Sequence, residues 1–406
     1  MSKGSNSSGL RRYNERVLIS ALRSLGLASK FELARLSNLT PQAVTRIIDD
    51  LESAGLVEQR GKLQRGLGQP STMYSINARG AFSIGVNVGR NDIQILLMDF
   101  GGDVIGKVAH EFNVPNPDFL LEKVEQGVSY LQGSLSEEER ARLVGVGLAM
   151  PWFMGGWQQE LNMSDELAAR WNSLKFDQEL ATRISLPIFL ENDCSAAAIA
   201  ELQFGLGRQV KNFLYVFIGT FVGGGVVLRG NLESGVHGNS GALASMPVSP
   251  STLDSAPPLT GPFDVLANRA SIYVLRRHLN ARGFPINNIS ELPGVLPQAQ
   301  QAVDEWIDDC AQALTFGIFS ATGVLDFEAI VLDGNLPREI VAQLVERLRA
   351  MVANLTPTGV YLPEILTGTL GVDARAIGGA ILPFYANFSP DTTVMLTNQA
   401  SADQRS

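Results

Sequence analysis

The stretch from Ser29 to Gly55 constrains this chain most, because it fixes where two helices start, turn and stop. Ser29-Lys30-Phe31-Glu32 is a capping box: the Ser29 hydroxyl can accept from the Glu32 amide while the Glu32 side chain reaches back. It opens a short helix with Leu33, Ala34 and Leu36 inside. Ser37-Asn38-Leu39 reads as a tight turn. Thr40 then caps a further helix whose first position, Pro41, has no amide proton to leave unpaired. Ala43, Val44, Ile47, Ile48 and Leu51 form a helical stripe, and Gly55 stands where that helix ends. Ahead of the box, Val17, Leu18, Ala21, Leu22 and Leu25 give a first helix over 14–25. Behind it, 56–59 and 73–76 read as short strands around a Gly- and Arg-bearing tip at 60–70. Three helices and a hairpin in this order make a winged helix-turn-helix.

The side of the third helix away from its stripe carries Gln42, Thr45, Arg46 and Asp49. Polar residues on a helix usually do no more than meet water, and an isolated amphipathic helix would be read that way. Here the box, the turn, the Thr-Pro start and the hairpin come in sequence, which favours a helix entering the major groove, where Gln, Thr and Arg read base edges. Arg11, Arg12 and Arg16 before it, with Arg60, Lys62 and Arg65 in the hairpin, are candidates for phosphate contacts. Residues 1–80 hold twelve Lys and Arg against six Asp and Glu, net +6; the rest of the 406-residue chain holds 20 against 35, net −15. A basic head on an acidic body fits a chain whose head alone meets a polyanion, although a margin of six decides nothing by itself.

Beyond Gly80 the pattern changes. Phe82–Val88, 93–100 and 104–112 read as strands, followed by a helix with Phe119, Leu120, Val124, Val128 and Leu131 and a buried strand at 143–149. Phe213–Ile218 and 224–228 begin a second set, with long helices near 263–280, 299–320 and 337–353 and a Pro/Ser-rich loop at 246–262. Strands then helices, twice over, give two α/β lobes with a cleft between them. The expected organisation is a disordered arm at 1–12, the helix-turn-helix at 13–78, and a first lobe at 79–192 completed by about 376–393. A second, dimerising lobe at 193–375 and a loose tail at 394–406 follow. No apolar run approaches the roughly 20 residues that cross a bilayer, and the first dozen residues are too polar for a secretory signal. The two cysteines, Cys194 and Cys310, form no paired motif. A cytoplasmic chain with no membrane partner, no disulfide and no cysteine zinc site is expected.

Several runs share one resemblance. In the head these are 14–16, Glu32-Leu33-Ala34, Thr45-Arg46-Ile47-Ile48 and Gly55-Leu56-Val57. In the body they are Leu190-Glu191-Asn192-Asp193, Ala196-Ala197-Ala198, Phe204-Gly205-Leu206-Gly207-Arg208, Gly219-Thr220, Gly223-Gly224-Gly225, Gly230 and Gly235. Together they resemble the ROK family, which joins repressors, open reading frames and kinases, over nearly the whole chain. The resemblance implies an α/β, two-lobed, actin-like and ribonuclease H-like sugar-kinase body behind the winged helix-turn-helix. It also implies a homodimer or homotetramer, operator double-stranded DNA as partner and a sugar or sugar derivative as effector. Asn192 and Asp193 then fall in the sugar motif, where the aspartate is the general base of family kinases; equally, both read as caps of the Ala-rich helix that follows. Asn162, with Trp171, matches a family Asn-Leu…Trp segment, and His237 lies near the cleft motif, where the plainer reading is a surface histidine. Family repressors carry Gly-Arg-Pro between wing and body, its arginine entering the minor groove. Gly68-Gln69-Pro70 stands here, and an uncharged Gln69 gains less from a narrow A·T groove, with Arg65 as a substitute.

The departures bear on activity. Family kinases open with Asp-x-Gly-Gly-Thr, whereas this chain has Asn87-Val88-Gly89-Arg90-Asn91; their Gly-Thr-Gly is Gly219-Thr220-Phe221. Phosphate loops need glycines because backbone amides must approach the anion closely, although Arg90 could itself attract phosphate. The family's sugar-binding Glu and zinc-binding His correspond to Ala242 and Ser245, and no cysteine segment follows. The expectation is a repressor of carbohydrate-related genes with a kinase-derived sensory body and no catalytic residue, cofactor or metal. Two rivals stand beside it. One is an active ATP-dependent sugar kinase with a regulatory head, favoured by Asp193 and opposed by Asn87, Arg90, Phe221 and Ala242. The other is a repressor governed by a protein partner.

Overall fold

A computed structural model describes residues 7–63, 70–259, 261–355 and 359–390. The head comprises α1 (Ser7–Leu25), β1 (Ala28–Ser29), α2 (Lys30–Ser37), α3 (Pro41–Ser53), β2 (Val57–Leu63) and β3 (Ser71–Ile76), its strands antiparallel in the order β1-β3-β2. Its helices start and stop where the caps dictate. Ser29 Oγ accepts from the Glu32 amide at 3.3 Å, Glu32 accepts from the Ser29 amide at 2.8 Å, and Thr40 Oγ1 accepts from the Ala43 amide at 3.3 Å. Asn38, at φ 56, takes the left-handed conformation that closes α2. Val44, Ile47, Ile48 and Leu51 are buried in one cluster with Leu18, Leu22 and Leu33.

Two expectations need correction here. The arm at 1–12 is helical from Ser7, because Arg11 ties the first turns of α1 to Glu15 (3.0 Å) and to Asp50 of α3 (2.7 Å). The strand after α3 runs on to Leu63, paired with Ser71. The hairpin tip with Arg65 and Gln69, and the tail at 394–406, lie outside the described residues.

The body uses one five-stranded plan twice. In the first lobe β4 (Phe82–Val88), β5 (Asp92–Asp99) and β6 (Val104–Glu111) form an antiparallel meander. After α4 (Pro117–Gly133) and α5 (Glu137–Arg140), β7 (Leu143–Met150) joins β4 in parallel; after α6 (Asp165–Ser173) and α7 (Phe176–Ala181), β8 (Ile188–Asn192) joins β7. The order is β6-β5-β4-β7-β8. The second lobe follows α8 (Asp193–Phe204) with β9 (Phe213–Ile218), β10 (Val222–Leu228) and β11 (Asn231–Glu233), then β12 (Pro247–Val248), β13 (Asp264–Val265), α9 (Ile272–Ala281) and α10 (Leu292–Thr322). β14 (Ala329–Gly334), α11 (Arg338–Ala353) and β15 (Glu364–Thr367) complete it in the order β11-β10-β9-β14-β15, with the same antiparallel and parallel halves. This is the two-lobed actin-like architecture. On α4, Leu120, Val124, Val128 and Leu131 are buried but Phe119 is exposed. The helix expected from 263 starts only at Ile272, since Asp264–Val265 pairs with Pro247–Val248 and Ser271 supplies the cap.

The last helix, α12 (Ala374–Phe388), returns to the first lobe and lies on β4 and β7. At Gly85 and Gly147 a Cβ would strike the backbone of Ala380 or Gly379, so these strands carry glycine where the helix crosses. Head and body then share one apolar cluster that includes Leu18, Ile19 and Leu22 of α1 with Phe100, Ile199, Ile381 and Phe384. Arg23 donates to the Phe100 carbonyl at 2.9 Å and lies over the Phe100 and Phe204 rings at 5.0 and 5.3 Å. Arg16 donates to the Ser389 carbonyl at 3.2 Å.

Candidate DNA-facing helix and ligand cleft

On α3 the caps and the buried stripe leave Gln42, Thr45 and Arg46 exposed, where with Pro41, Asp49 and Asp50 they border an open depression. The helix carries one arginine against Asp49, Asp50 and Glu52, a balance that repels phosphate unless it is offset. Neighbours offset it: Lys30 pairs with Asp49 at 2.5 Å and Arg11 with Asp50 at 2.7 Å. The expected phosphate contacts therefore divide. Arg11 is engaged with carboxylates, Arg16 with the end of α12, and Arg60 with Glu58 at 2.6 Å and Ser75 at 3.1 Å. Arg12, Arg46 and Lys62 make no ion pair among the described residues.

The cleft between the lobes holds a cavity of about 350 Å³. Its walls are the β4–β5 turn with Arg90, the loop after β7 with Trp152 and Trp157, the start of α8, the β9–β10 turn, the 238–245 loop and the first turn of α12. Asn192 caps α8, its Oδ1 accepting from the Cys194 and Ser195 amides at 3.0 and 3.3 Å. Asp193 is buried; one of its oxygens accepts from the Cys194 amide at 3.0 Å and the other from Arg375 at 3.3 Å. Arg375 is buried too, 5.0 Å above the Phe217 ring and 4.0 Å from Asp92. Burial lowers its pKa, but Asp92 and Asp193 outweigh that and the net shift is upward. Arg90 lies 4.9 Å from the Phe221 ring centre and 5.4 Å from that of Trp157, the two rings being stacked 4.0 Å apart. Burial pulls the Arg90 guanidinium below its ordinary value, with Asp193 opposing the shift and Arg375 adding to it. Burial also pushes the Cys194 thiol well up, which removes it as a thiolate nucleophile.

Other expected effector residues stand apart from this cavity. Asn162 is exposed, at φ 51, and not in its wall; His237 is exposed and lines a neighbouring groove with Trp152, Phe153 and Lys175. Trp171 is core, donating to the Pro115 carbonyl at 2.8 Å and stacked on Phe176. Ala242 and Ser245 do lie in the wall, at the positions matched to the sugar-binding Glu and zinc-binding His. Where a zinc segment is implied, the loop from Ser249 to Thr252 is held by a buried ion pair instead. Arg269 bonds Asp309 through Nε (3.0 Å) and Nη2 (2.7 Å) and donates to the Ser249 carbonyl at 3.0 Å, while Asp309 accepts from the Thr252 amide at 2.9 Å. Among the described residues no three His, Cys, Asp or Glu side chains gather as a metal site, and no helix is long and apolar enough to cross a membrane.

The profile of the ROK family matches residues 83–384. The chain belongs to the ROK family. A winged helix-turn-helix DNA-binding profile matches residues 11–58 of this ROK chain. Over 243 residues it is 24% identical to the xylose repressor of Bacillus spizizenii, covering 59% of this chain and 61% of that protein. It is 27% identical over 318 residues to a glucokinase of Halalkalibacterium halodurans, covering 74% of this chain and 94% of the kinase. The crystal structure of a ROK family transcriptional regulator, a homolog of the Escherichia coli Mlc protein, superposes with a TM-score of 0.68 at 20% identity, over 96% of this chain and 98% of that one. That likeness establishes the fold of head and body together. ROK membership spans repressors and kinases, so the residues of the cleft must decide between them.

Proposed function

We propose that this ROK chain is a transcriptional regulator that represses carbohydrate-related genes, binding operator DNA as a homodimer or homotetramer in the cytoplasm. The observation that carries the reading is the exposure of Gln42, Thr45 and Arg46 on the second helix of a helix-turn-helix, with two of its three carboxylates paired to Lys30 and Arg11. Gln69 and Arg65 at the hairpin tip add contacts in or beside the minor groove. The body senses a small carbohydrate derivative in the 350 Å³ cavity at Asn192 and Asp193 and transfers no phosphoryl group. Three features support this. Asp193, though in the cavity wall, is ion-paired with Arg375, Asn87 stands where the resemblance puts a kinase carboxylate, and Phe221 stands in the second glycine loop. His237 contributes to a ligand whose path includes the neighbouring groove, whereas Asn162 borders neither that groove nor the cavity.

A gel-shift titration on DNA upstream of the chain's own gene tests the reading. Arg46→Ala should weaken binding by about 1–3 kcal/mol and relax preference at one base pair. An unchanged footprint would remove α3 from the groove. Turnover of ATP with any hexose at ordinary kinase rates would sink the assignment of the body.

A further inference from the structure

The cavity wall contains three charged side chains, Arg90, Asp193 and Arg375; Asp193 and Asp92 lie 3.3 and 4.0 Å from Arg375, and neither forms an ion pair with Arg90 among the described residues. Their hydrogen bonding is unbalanced. Asp193 has partners for both oxygens, and Arg375 uses one nitrogen on it. The Nε atoms of Arg90 and of Arg375 are both buried and find no partner among the described residues. Arg90 enters no ion pair there at all; its contacts are the faces of Trp157 and Phe221. A half-buried guanidinium held by aromatic faces, with its Nε buried and unpaired and a second guanidinium nearby, is costly to keep in place. By contrast the buried structural Arg269 has oxygen acceptors for all its nitrogens.

We propose that the effector of this cleft is an anionic carbohydrate, a sugar phosphate or a sugar acid, whose phosphate or carboxylate docks on Arg90 with Arg375 behind it. The proposal rests on the reading of the body as a sensor and narrows it to a ligand class. Guanidinium forks match both anions in geometry and give charge-assisted hydrogen bonds about twice as strong as neutral ones. The neutral part of the ligand has the remainder of the cavity beside Trp152, Asn192 and Ser240. Burial chiefly lowers the Arg90 pKa, with Asp193 opposing, and a docked anion would oppose it further.

The test is calorimetric titration and thermal shift of the full chain with inorganic phosphate, glucose 6-phosphate, glucuronate, gluconate and glucose, repeated on Arg90→Met. The methionine keeps an apolar contact with both rings and removes the charge. Binding of at least one anionic probe, with glucose weaker by about tenfold or more and the gap abolished in Arg90→Met, is expected. Phosphate and glucose 6-phosphate binding without the acids identifies a phosphate ester; the reverse identifies a carboxylate. If Arg90→Met melts in the cold, competition on the native chain replaces it: sulfate should displace a bound anionic probe and leave a neutral sugar in place. Glucose binding as tightly as its phosphate and its acids would overturn the proposal while leaving the sensor reading intact. Binding of no probe, phosphate included, would overturn both, with operator binding still to be judged by gel shift.

Discussion

The Arg269–Asp309 pair offers the sharpest measurement. Both side chains are fully buried, at 0% exposure, and each serves two elements: Arg269 precedes α9, Asp309 sits in α10, and together they hold the loop from Ser249 to Thr252. Asp309→Leu keeps the volume and removes every carboxylate acceptor. Arg269 then loses the partners of Nε and one bond of Nη2, while the Thr252 amide and Ser251 hydroxyl are orphaned. Leaving one partner of a buried pair uncompensated costs about 3–5 kcal/mol. At roughly 2–4 °C per kcal/mol for a body of this size, the second lobe should melt about 6–20 °C earlier in calorimetry. The double change Arg269→Leu with Asp309→Leu removes both charges together and should recover most of that loss, because burying hydrophobic groups avoids the desolvation penalty. A single substitution costing under about 1 kcal/mol, or a double one costing the sum of the singles, would refute the argument that this pair holds the loop.

Glu201 is fully buried in α8 and accepts from the Leu206 amide at 2.9 Å and the Thr369 amide at 3.1 Å, yet burial raises its pKa above 4.5, with those bonds opposing. A carboxyl whose folded pKa is raised contributes stability that is complete below 4.5 and is lost as pH climbs through the folded value. Glu201→Gln, which does not titrate, should therefore gain on the parent chain between acid and neutral pH; parallel melting curves would contradict this. Arg23, its pKa drawn to about 10 by burial against the pull of Asp99, links α1 to Phe100 and Phe204. Arg23→Met should leave ligand-free operator affinity within about threefold but cut the change in that affinity on ligand binding, a coupling normally worth about 1–3 kcal/mol. Full retention of the ligand response would exclude this contact from the coupling.

The head was legible because its signals are local. A capping box, a Thr-Pro start and an apolar stripe each act within four residues, and α2 and α3 start where those signals placed them. The doubled sheet was legible in outline, since a strand two residues off still alternates correctly. What was not legible depends on distant partners. The helical first turn at Ser7 needs Arg11 to reach Asp50, and the short α9 needs Asp264–Val265 to find Pro247–Val248. Arg375 was missed in the cleft because its partner Asp193 lies 182 residues earlier. A signal existed: one arginine in the apolar run of α12 is a charge that must be paired. Asn162 was placed by its match to a family segment and His237 by nearness to the cleft motif, and order along the chain does not say which side of Trp152 the His237 loop will face.

The pair Asp193–Arg375 does more than neutralise itself, because it joins the first turns of α8 and α12, the two helices that reach the head. Over twelve and 15 residues these helices extend about 18 and 22 Å from the cleft. At their far ends, Phe204 supports Arg23, and Phe384, Phe388 and Ser389 meet Phe100 and Arg16. An anion on Arg90 competes with Asp193 for Arg375, and so acts on a polar link between the helix starts. The apolar cluster at the other end passes any relative motion to α1 rather than absorbing it, since packed side chains rearrange in steps. Such a ligand shifts the head only by the difference in its affinity for the two arrangements, and about a hundredfold preference corresponds to 2.7 kcal/mol. One charge-assisted bond gained in only one arrangement supplies most of that. A neutral sugar touching the cavity wall equally in both would bind without effect.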